Sequence, residues 1–199
     1  MEVQTCIIGP FQTNTYLLQE NGKILLIDPA SKAEKIISLL GNRKPEAILL
    51  THGHFDHIKA VDGLYRQYRC PVYLHEADET LARNKYSGAS FGLSAYISCP
   101  IEHLKEGKMQ IGPFDFEVIF TPGHTRGSVI YVFDDCIFTG DTLFKGSIGR
   151  TDLEGGSDRE MKQSLQIFRQ FDKDYDIYPG HDFPTKLSYE LANNYYLNR

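Results

Sequence analysis

Six consecutive residues, His52-Gly53-His54-Phe55-Asp56-His57, carry four side chains of the kind that hold metal ions, directly after the apolar run Ala47 to Leu50. In extended backbone alternate residues point the same way, so His52 and His54 can grip one ion. Asp56 and His57, where the chain turns toward the next helix, can reach another, and one loop can therefore serve two metals. A solitary histidine usually caps a helix or fills surface, but three of the chain's seven crowd into this loop. Two more obey the same grammar: His124 closes Thr121-Pro122-Gly123-His124 and His181 closes Tyr178-Pro179-Gly180-His181. Each follows a predicted strand and a Pro-Gly turn, whose glycine lets the backbone pass close to something bulky. Asp141, in Thr139-Gly140-Asp141, again ends a predicted strand. His75 and His103 lack that setting and are read as ordinary histidines.

The resulting set is His52, His54, Asp56, His57, His124, Asp141 and His181. Imidazole nitrogen with carboxylate oxygen suits zinc first, with iron and manganese as the other candidates, and the lack of cysteine ligands argues against a closed structural zinc. Seven protein ligands around two divalent ions leave coordination positions for water. Such water can have its pKa lowered from ~15.7 to ~7, which supplies hydroxide at neutral pH without a serine or cysteine nucleophile. The expected chemistry is hydrolysis by a bridging hydroxide.

With 199 residues, 41% of them hydrophobic and 24% charged, the chain is expected to be a single globular domain over 1–199. A net charge of −5 and the absence of a Lys/Arg block disfavour a nucleic-acid partner. No apolar run approaches the ~18 residues of a membrane span, and the N-terminus lacks a signal peptide's basic start and apolar core, so the expected location is the cytoplasm. Cys6, Cys70, Cys99 and Cys136 are widely spaced and read as reduced thiols in the core.

Strands are predicted at Val3 to Ile8, Thr13 to Gln19 and Ile24 to Ile27, the last after the hairpin signal Asn21-Gly22. Ser31-Lys32-Ala33-Glu34 reads as a capping box for a helix stopped by Gly41-Asn42. After the strand Ala47 to Leu50 come a helix carrying Val61, Leu64, Tyr65 and Tyr68 and a strand from Val72 to Leu74. Lys85 to Pro100 interleaves glycines and serines with Tyr86, Phe91 and Tyr96, the composition of a pocket wall. Strands resume at Phe114 to Phe120, Ser128 to Phe133 and Cys136 to Thr139. Ser157-Asp158-Arg159-Glu160 is a second capping box before Met161, Leu165 and Phe168; a strand at Asp176 to Tyr178 and a helix striped by Leu187, Leu191 and Tyr195 follow. Alternating strands and helices suggest a layered α/β protein.

The His-x-His-x-Asp-His run, the later His124, Asp141 and His181, and their order resemble the metallo-β-lactamase superfamily from about Val3 to His181. That resemblance implies a four-layer αβ/βα sandwich with two metals at one edge between two sheets. His52, His54 and His124 would hold the first ion, Asp56, His57 and His181 the second, with Asp141 bridging. Asp28, in Leu26-Ile27-Asp28-Pro29, is similar to the family's aspartate that orients the ligand loop. Asp141 stands where true β-lactamases place cysteine or serine, which argues against antibiotic hydrolysis. Thr51 to Ile58 and Gly140-Asp141-Thr142-Leu143-Phe144 instead look like glyoxalase II, most of all its short bacterial relatives, without the C-terminal helical domain by which longer members grip glutathione. A small-molecule thioester of the S-lactoylglutathione type is the substrate so implied, with Asp56 as the catalytic residue that orients the nucleophile and shuttles a proton. Arg150, Lys145 and Tyr86 are the candidate substrate contacts, the two cations for an anionic group. Gly149-Arg150-Thr151-Asp152 is also similar to persulfide dioxygenases, iron-dependent oxidoreductases of the same superfamily. That activity, or a lactonase-type hydrolysis, is the alternative.

Overall fold

Apolar runs without polar alternation, such as Ile24 to Ile27 and Ala47 to Leu50, call for strands covered on both faces. In the computed structural model, which describes residues 1–198 (Ser90 by its backbone alone), both runs lie at the centre of a six-stranded sheet. β1 (Glu2–Ile8), β2 (Thr13–Glu20) and β3 (Lys23–Ile27) form an antiparallel meander. Asn21 and Gly22 join the last two strands with φ of 49° and 76°, as a two-residue hairpin turn requires. After α1 (Ala33–Leu40) the chain enters β4 (Pro45–Leu49), then α2 (Phe55–Ile58), α3 (Val61–Tyr68), β5 (Val72–Leu74), α4 (Glu79–Arg83) and the short β6 (Glu102–His103). From β3 to β6 all pairings are parallel.

The second sheet contains β7 (Gly107–Ile111), β8 (Phe114–Phe120), β9 (Val129–Val132) and β10 (Cys136–Gly140), all antiparallel neighbours. A small hairpin, β11 (Leu143–Phe144) with β12 (Ser147–Ile148), and α5 (Asp158–Leu165) precede β13 (Asp176–Pro179), which lies parallel to β10. β14 (Thr185–Lys186) and α6 (Leu187–Asn193) complete the described chain. The sheet order is β14-β13-β10-β9-β8-β7.

Alternation within the apolar runs divides them among three cores. Leu18, Leu25, Ile27, Ala47 and Leu49 face the second sheet, meeting Phe116, Val118, Tyr131 and Phe138. Their neighbours Leu17, Ile24, Leu26 and Ile48 face α1 and α3 through Ile36, Leu40, Val61 and Leu64. On the far face of the second sheet, Ile130, Ile137 and Ile177 pack on Met161, Leu165 and Leu187 of α5 and α6. The order is helix, sheet, sheet, helix, the expected four-layer sandwich as a single domain. All four cysteines are buried and free.

Two local expectations need correction. Ser31 makes no capping bond: α1 starts from Lys32, which is left-handed at φ 52° and ψ 63° and turns the chain before a serine cap could close. Ser157 does cap α5, its hydroxyl accepting from the Glu160 amide. Tyr195 lies beyond the end of α6 and is exposed, so it extends no apolar stripe. β6, β11, β12 and β14 are two-residue strands, too short to show a period, and β7 alternates only Met109 and Ile111; none of the five was anticipated. Among the described residues no helix is long and apolar enough to cross a membrane.

Candidate metal centre

Strand direction gathers the site. β3, β4 and β5 are parallel, so the residues just after them, Asp28, Thr51-His52 and His75 to Asp78, share one edge. β10 and β13 are parallel, and β8 runs with β10 because β9 opposes both, so His124, Asp141 and His181 share an edge of the second sheet. Packed face to face, the sheets bring these two edges together, at the carboxyl ends of strands where open α/β sheets place ligands.

Three groupings of ligand atoms, each within 4.8 Å, result: His52 with His54 and His124; Asp56 with His57 and His181; and Asp28 with His52 and His57. Asp141 lies between the first two. Its Oδ2 is 3.4 Å from His124 Nε2 and 3.5 Å from His181 Nε2, and its Oδ1 is 3.3 Å from His57 Nε2. On the second side His181 Nε2 is 3.3 Å from Asp56 Oδ2 and 3.3 Å from His57 Nε2. All seven anticipated residues therefore converge. Gly180 permits this, since a Cβ there would run into Asp141 and His57. At Gly123, with φ of 143°, a Cβ would strike Met161 of α5 instead.

Hydrogen bonds on the outward side of each ring set its tautomer. His57 Nδ1 donates to Asp28 Oδ2 at 2.9 Å, His124 Nδ1 to the Arg150 carbonyl at 2.7 Å, and His181 Nδ1 to the Phe11 carbonyl at 3.0 Å. Thr51 Oγ1 donates to Asp28 Oδ2 at 2.6 Å and accepts from His52 Nδ1 at 3.0 Å. With Nδ1 donating outward in these four rings, each of their Nε2 atoms points to the centre, where it can offer a lone pair once any proton on it is displaced. His54 enters the other way round, with Nδ1 2.8 Å from His124 Nε2. His52 Nε2 and Asp141 Oδ1 are buried without a hydrogen-bond partner. Unpartnered buried acceptors on converging rings fit a cation, which takes the lone pairs that no donor satisfies. The Asp28 grouping is different in kind: that carboxylate is already engaged by the Thr51 amide at 2.8 Å, the Thr51 hydroxyl and His57. It orients ligands and is not itself free to bind.

Electrostatics agree with this reading. Burial, reinforced by repulsion from neighbouring imidazoles, holds His52 well below its ordinary pKa and pushes His54 down to about 3. Burial also opposes protonation of His57 and His181, but carboxylates outweigh it: Asp141, Asp56 and Asp28 hold His57 well above its usual range, and Asp141 with Asp56 raises His181 to about 9. Burial would raise Asp141 and Asp56 as well, yet the adjacent imidazoles keep both below the usual carboxylate range. Two charged carboxylates beside the neutral His52 and His54 form a donor set that positive charge completes; protons on His57 and His181 supply that charge in the free site, and a bound cation would displace them.

One organising residue was missed. Asp78, fully buried after β5, accepts from the Gly53 amide at 2.8 Å, the Gly127 amide at 2.7 Å and the Thr125 hydroxyl at 2.7 Å. It ties the loop carrying His52 and His54 to the loop carrying His124. Nothing local marks it, because an acid in a polar turn is ordinary. Thr13, which donates to Asp56 Oδ2 at 3.2 Å, was equally silent. His75 accepts from the Ala77 amide and His103 pairs with Glu79, so neither joins the centre.

A cavity of about 460 Å³ opens onto His54, Asp56, His124, Asp141 and His181. Phe11, Phe55, Phe91 and Ser87 form one wall, and Arg150 stands at the rim, its guanidinium paired with Asp152 at 2.7 and 2.8 Å. Lys145 and Tyr86 do not line it: Lys145 reaches over the Tyr189 ring, and Tyr86 is 67% exposed with Lys85 over its face. Tyr96 is also outside, so within the Lys85 to Pro100 loop it is Phe91 and Ser87 that meet the cavity. A larger groove of about 720 Å³ lies beyond Gly149 and Arg150 but contains none of the seven candidate ligands.

A sandwich of this topology, with imidazoles and carboxylates gathered at the strand ends, defines a metal-dependent hydrolase. The chain belongs to the metallo-β-lactamase superfamily, whose family model matches residues 8–181. It is similar to the probable metallo-hydrolase YqgX of Bacillus subtilis (strain 168), 37% identical over 200 residues that cover 96% of this chain and 95% of that protein. Among solved structures it is similar to BLEG-1, described as a B3 metallo-β-lactamase, with TM-score 0.93 and 36% identity over 100% of both chains. It is also similar to TTHA1623 in a di-iron-bound form, with TM-score 0.90, 35% identity and coverage of 98% of this chain and 100% of that one.

Proposed function

We propose that the protein is a binuclear hydrolase of acyl thioesters of the S-lactoylglutathione type, with His52, His54 and His124 on one ion, Asp56, His57 and His181 on the other, and Asp141 between them. The observation that carries this reading is the inward set of imidazole nitrogens, their outward nitrogens tied to oxygen acceptors, around a carboxylate that faces both groups. When bound, the divalent ions, zinc foremost and iron or manganese as alternatives, supply Lewis acidity toward a carbonyl oxygen and lower the pKa of coordinated water. Asp28 fixes the tautomer of His57 and, through Thr51, that of His52. The Arg150 and Phe11 carbonyls do the same for His124 and His181. Asp56, held by Thr13 and open to the cavity, orients the attacking water and carries its proton toward the departing thiolate. The hydrophobic wall limits bulk water around the acyl carbon.

The test is a turnover panel run with elemental analysis on the same preparation: S-lactoylglutathione, other acyl thioesters, a lactone and a chromogenic cephalosporin. The reading expects two metal equivalents, thioester turnover that is abolished by chelation, and loss of both metal and activity in His52→Ala and Asp141→Ala with unchanged far-UV CD. Wild-type rates in both variants would remove it. A second reading, iron-dependent oxygenation of a glutathione persulfide, draws on the Gly149 to Asp152 resemblance. It expects one iron and oxygen uptake on the persulfide.

A further inference from the structure

The walls of the cavity have a chemistry distinct from that of the metal-facing residues. Phe11, Phe55 and Phe91 come from three separate segments and meet as a triangle: Phe11 stands edge-on to Phe55 and to Phe91 at 5.3 Å each, while Phe55 and Phe91 stack at 5.6 Å. Phe55 directly precedes Asp56, so this triangle flanks the carboxylate that faces the substrate. Phe91 is 50% exposed, although a partly stacked ring in an apolar cluster would gain from being covered. Charge is sparse on the same walls. Besides the ligand set, the cavity's charged side chains are Glu154, an acid, and Arg150, whose guanidinium is already held by both oxygens of Asp152. No cation among the described lining residues is left unpaired, and Lys145 stands outside.

We propose that the Phe11–Phe55–Phe91 triangle is the acyl subsite, and that it selects an uncharged, apolar acyl group larger than lactoyl. This rests on the thioester reading above and deepens it: the acyl body packs against the three rings, the carbonyl lies toward Asp56 and Asp141, and any charge on the thiol carrier stays at the rim. Water attacks the carbonyl carbon, the C–S bond breaks, the thiolate leaves with the proton from Asp56, and the carboxylic acid is released.

The experiment holds the carrier constant and varies the acyl group, comparing S-lactoyl-, S-acetyl-, S-butanoyl- and S-hexanoylglutathione with the metal-loaded protein. The expected result is a rise in kcat/KM with chain length, at about fourfold for each buried methylene, and a collapse of the hexanoyl-to-acetyl ratio toward one in Phe91→Ala, partly restored in Phe91→Leu. Binding of the non-hydrolysable thioethers S-methyl- and S-hexylglutathione, measured by calorimetry, should show the same preference and the same collapse. A ratio that is flat in the wild type, or unchanged in Phe91→Ala, overturns the acyl subsite while leaving thioester hydrolysis standing. Absence of turnover on every thioester, with S-hexylglutathione still bound more tightly than S-methylglutathione, would instead overturn the thioester reading and keep the apolar subsite.

Discussion

Two buried aspartates hold the ligand loops without belonging to the ligand set. Asp28, left-handed at φ 48°, aims its carboxylate at the Thr51 amide and hydroxyl and at His57. Asp78 does the corresponding work between the Gly53 and His124 loops. Removing the Asp78 carboxylate strands two buried amides, each costing about 1–3 kcal/mol. Asp78→Ala is therefore expected to lose at least about 2 kcal/mol in denaturant unfolding and to bind less metal at the His52–His54–His124 side. Asp78→Asn, which keeps an acceptor oxygen, should recover part of both losses; wild-type stability and metal content in Asp78→Ala would show that the carboxylate is dispensable. Asp28 was legible because it ends a strand inside a family-like motif. Asp78 was not, since its three partners lie 25 to 49 residues away.

Elements were legible in proportion to their apolar periodicity. β2, β3 and β4 were readable because alternate residues enter two different cores, β8 because buried residues alternate with exposed ones, and α5 because its apolar stripe enters one core, whereas β11 and β12 are two-residue strands that only their surroundings hold together. The two serine motifs make a direct comparison. Ser157→Ala should cost about 1 kcal/mol in thermal or denaturant unfolding, the usual worth of a serine cap. Ser31→Ala should cost less than about 0.5 kcal/mol, since Ser31 caps nothing. The loop that carries Phe91 is expected to have its own pH dependence. Asp62 on α3 accepts from the Ser98 amide and hydroxyl and from the Cys99 amide. Burial would raise its pKa, but these donors outweigh burial and hold it below 3.8. A depressed carboxylate stabilises the folded form fully above its unfolded pKa, and the contribution disappears as pH falls through the lowered value. Protection of the Ser98 and Cys99 amides in hydrogen exchange, corrected for intrinsic rates, should thus hold at neutral pH and drop in acid. Asp62→Ala should remove that difference, leaving the amides poorly protected throughout.

At the scale of the whole molecule the two sheets pack on a shared aromatic core, where Phe138 stacks on its strand neighbour Tyr178 at 5.1 Å and meets Tyr16 of the other sheet edge-on at 4.9 Å. Phe138→Ala is expected to cost about 3–5 kcal/mol in denaturant unfolding, a large share of the ~5–15 kcal/mol typical of a domain. A loss under 1 kcal/mol would mean that this core collapses around the deletion. The candidate ligand residues, the layered α/β class and most strand positions were already encoded locally, because ligand chemistry and apolar periodicity are properties of short segments. Which rings turn Nε2 inward, that Asp141 faces both groups, that Asp78 joins two loops and that three phenylalanines from separate segments close one wall emerged only on folding. Those relations depend on strand direction and sheet packing, which bring together residues 25 to 49 positions apart at Asp78 and 124 apart at His57 and His181, and no local pattern records such distances.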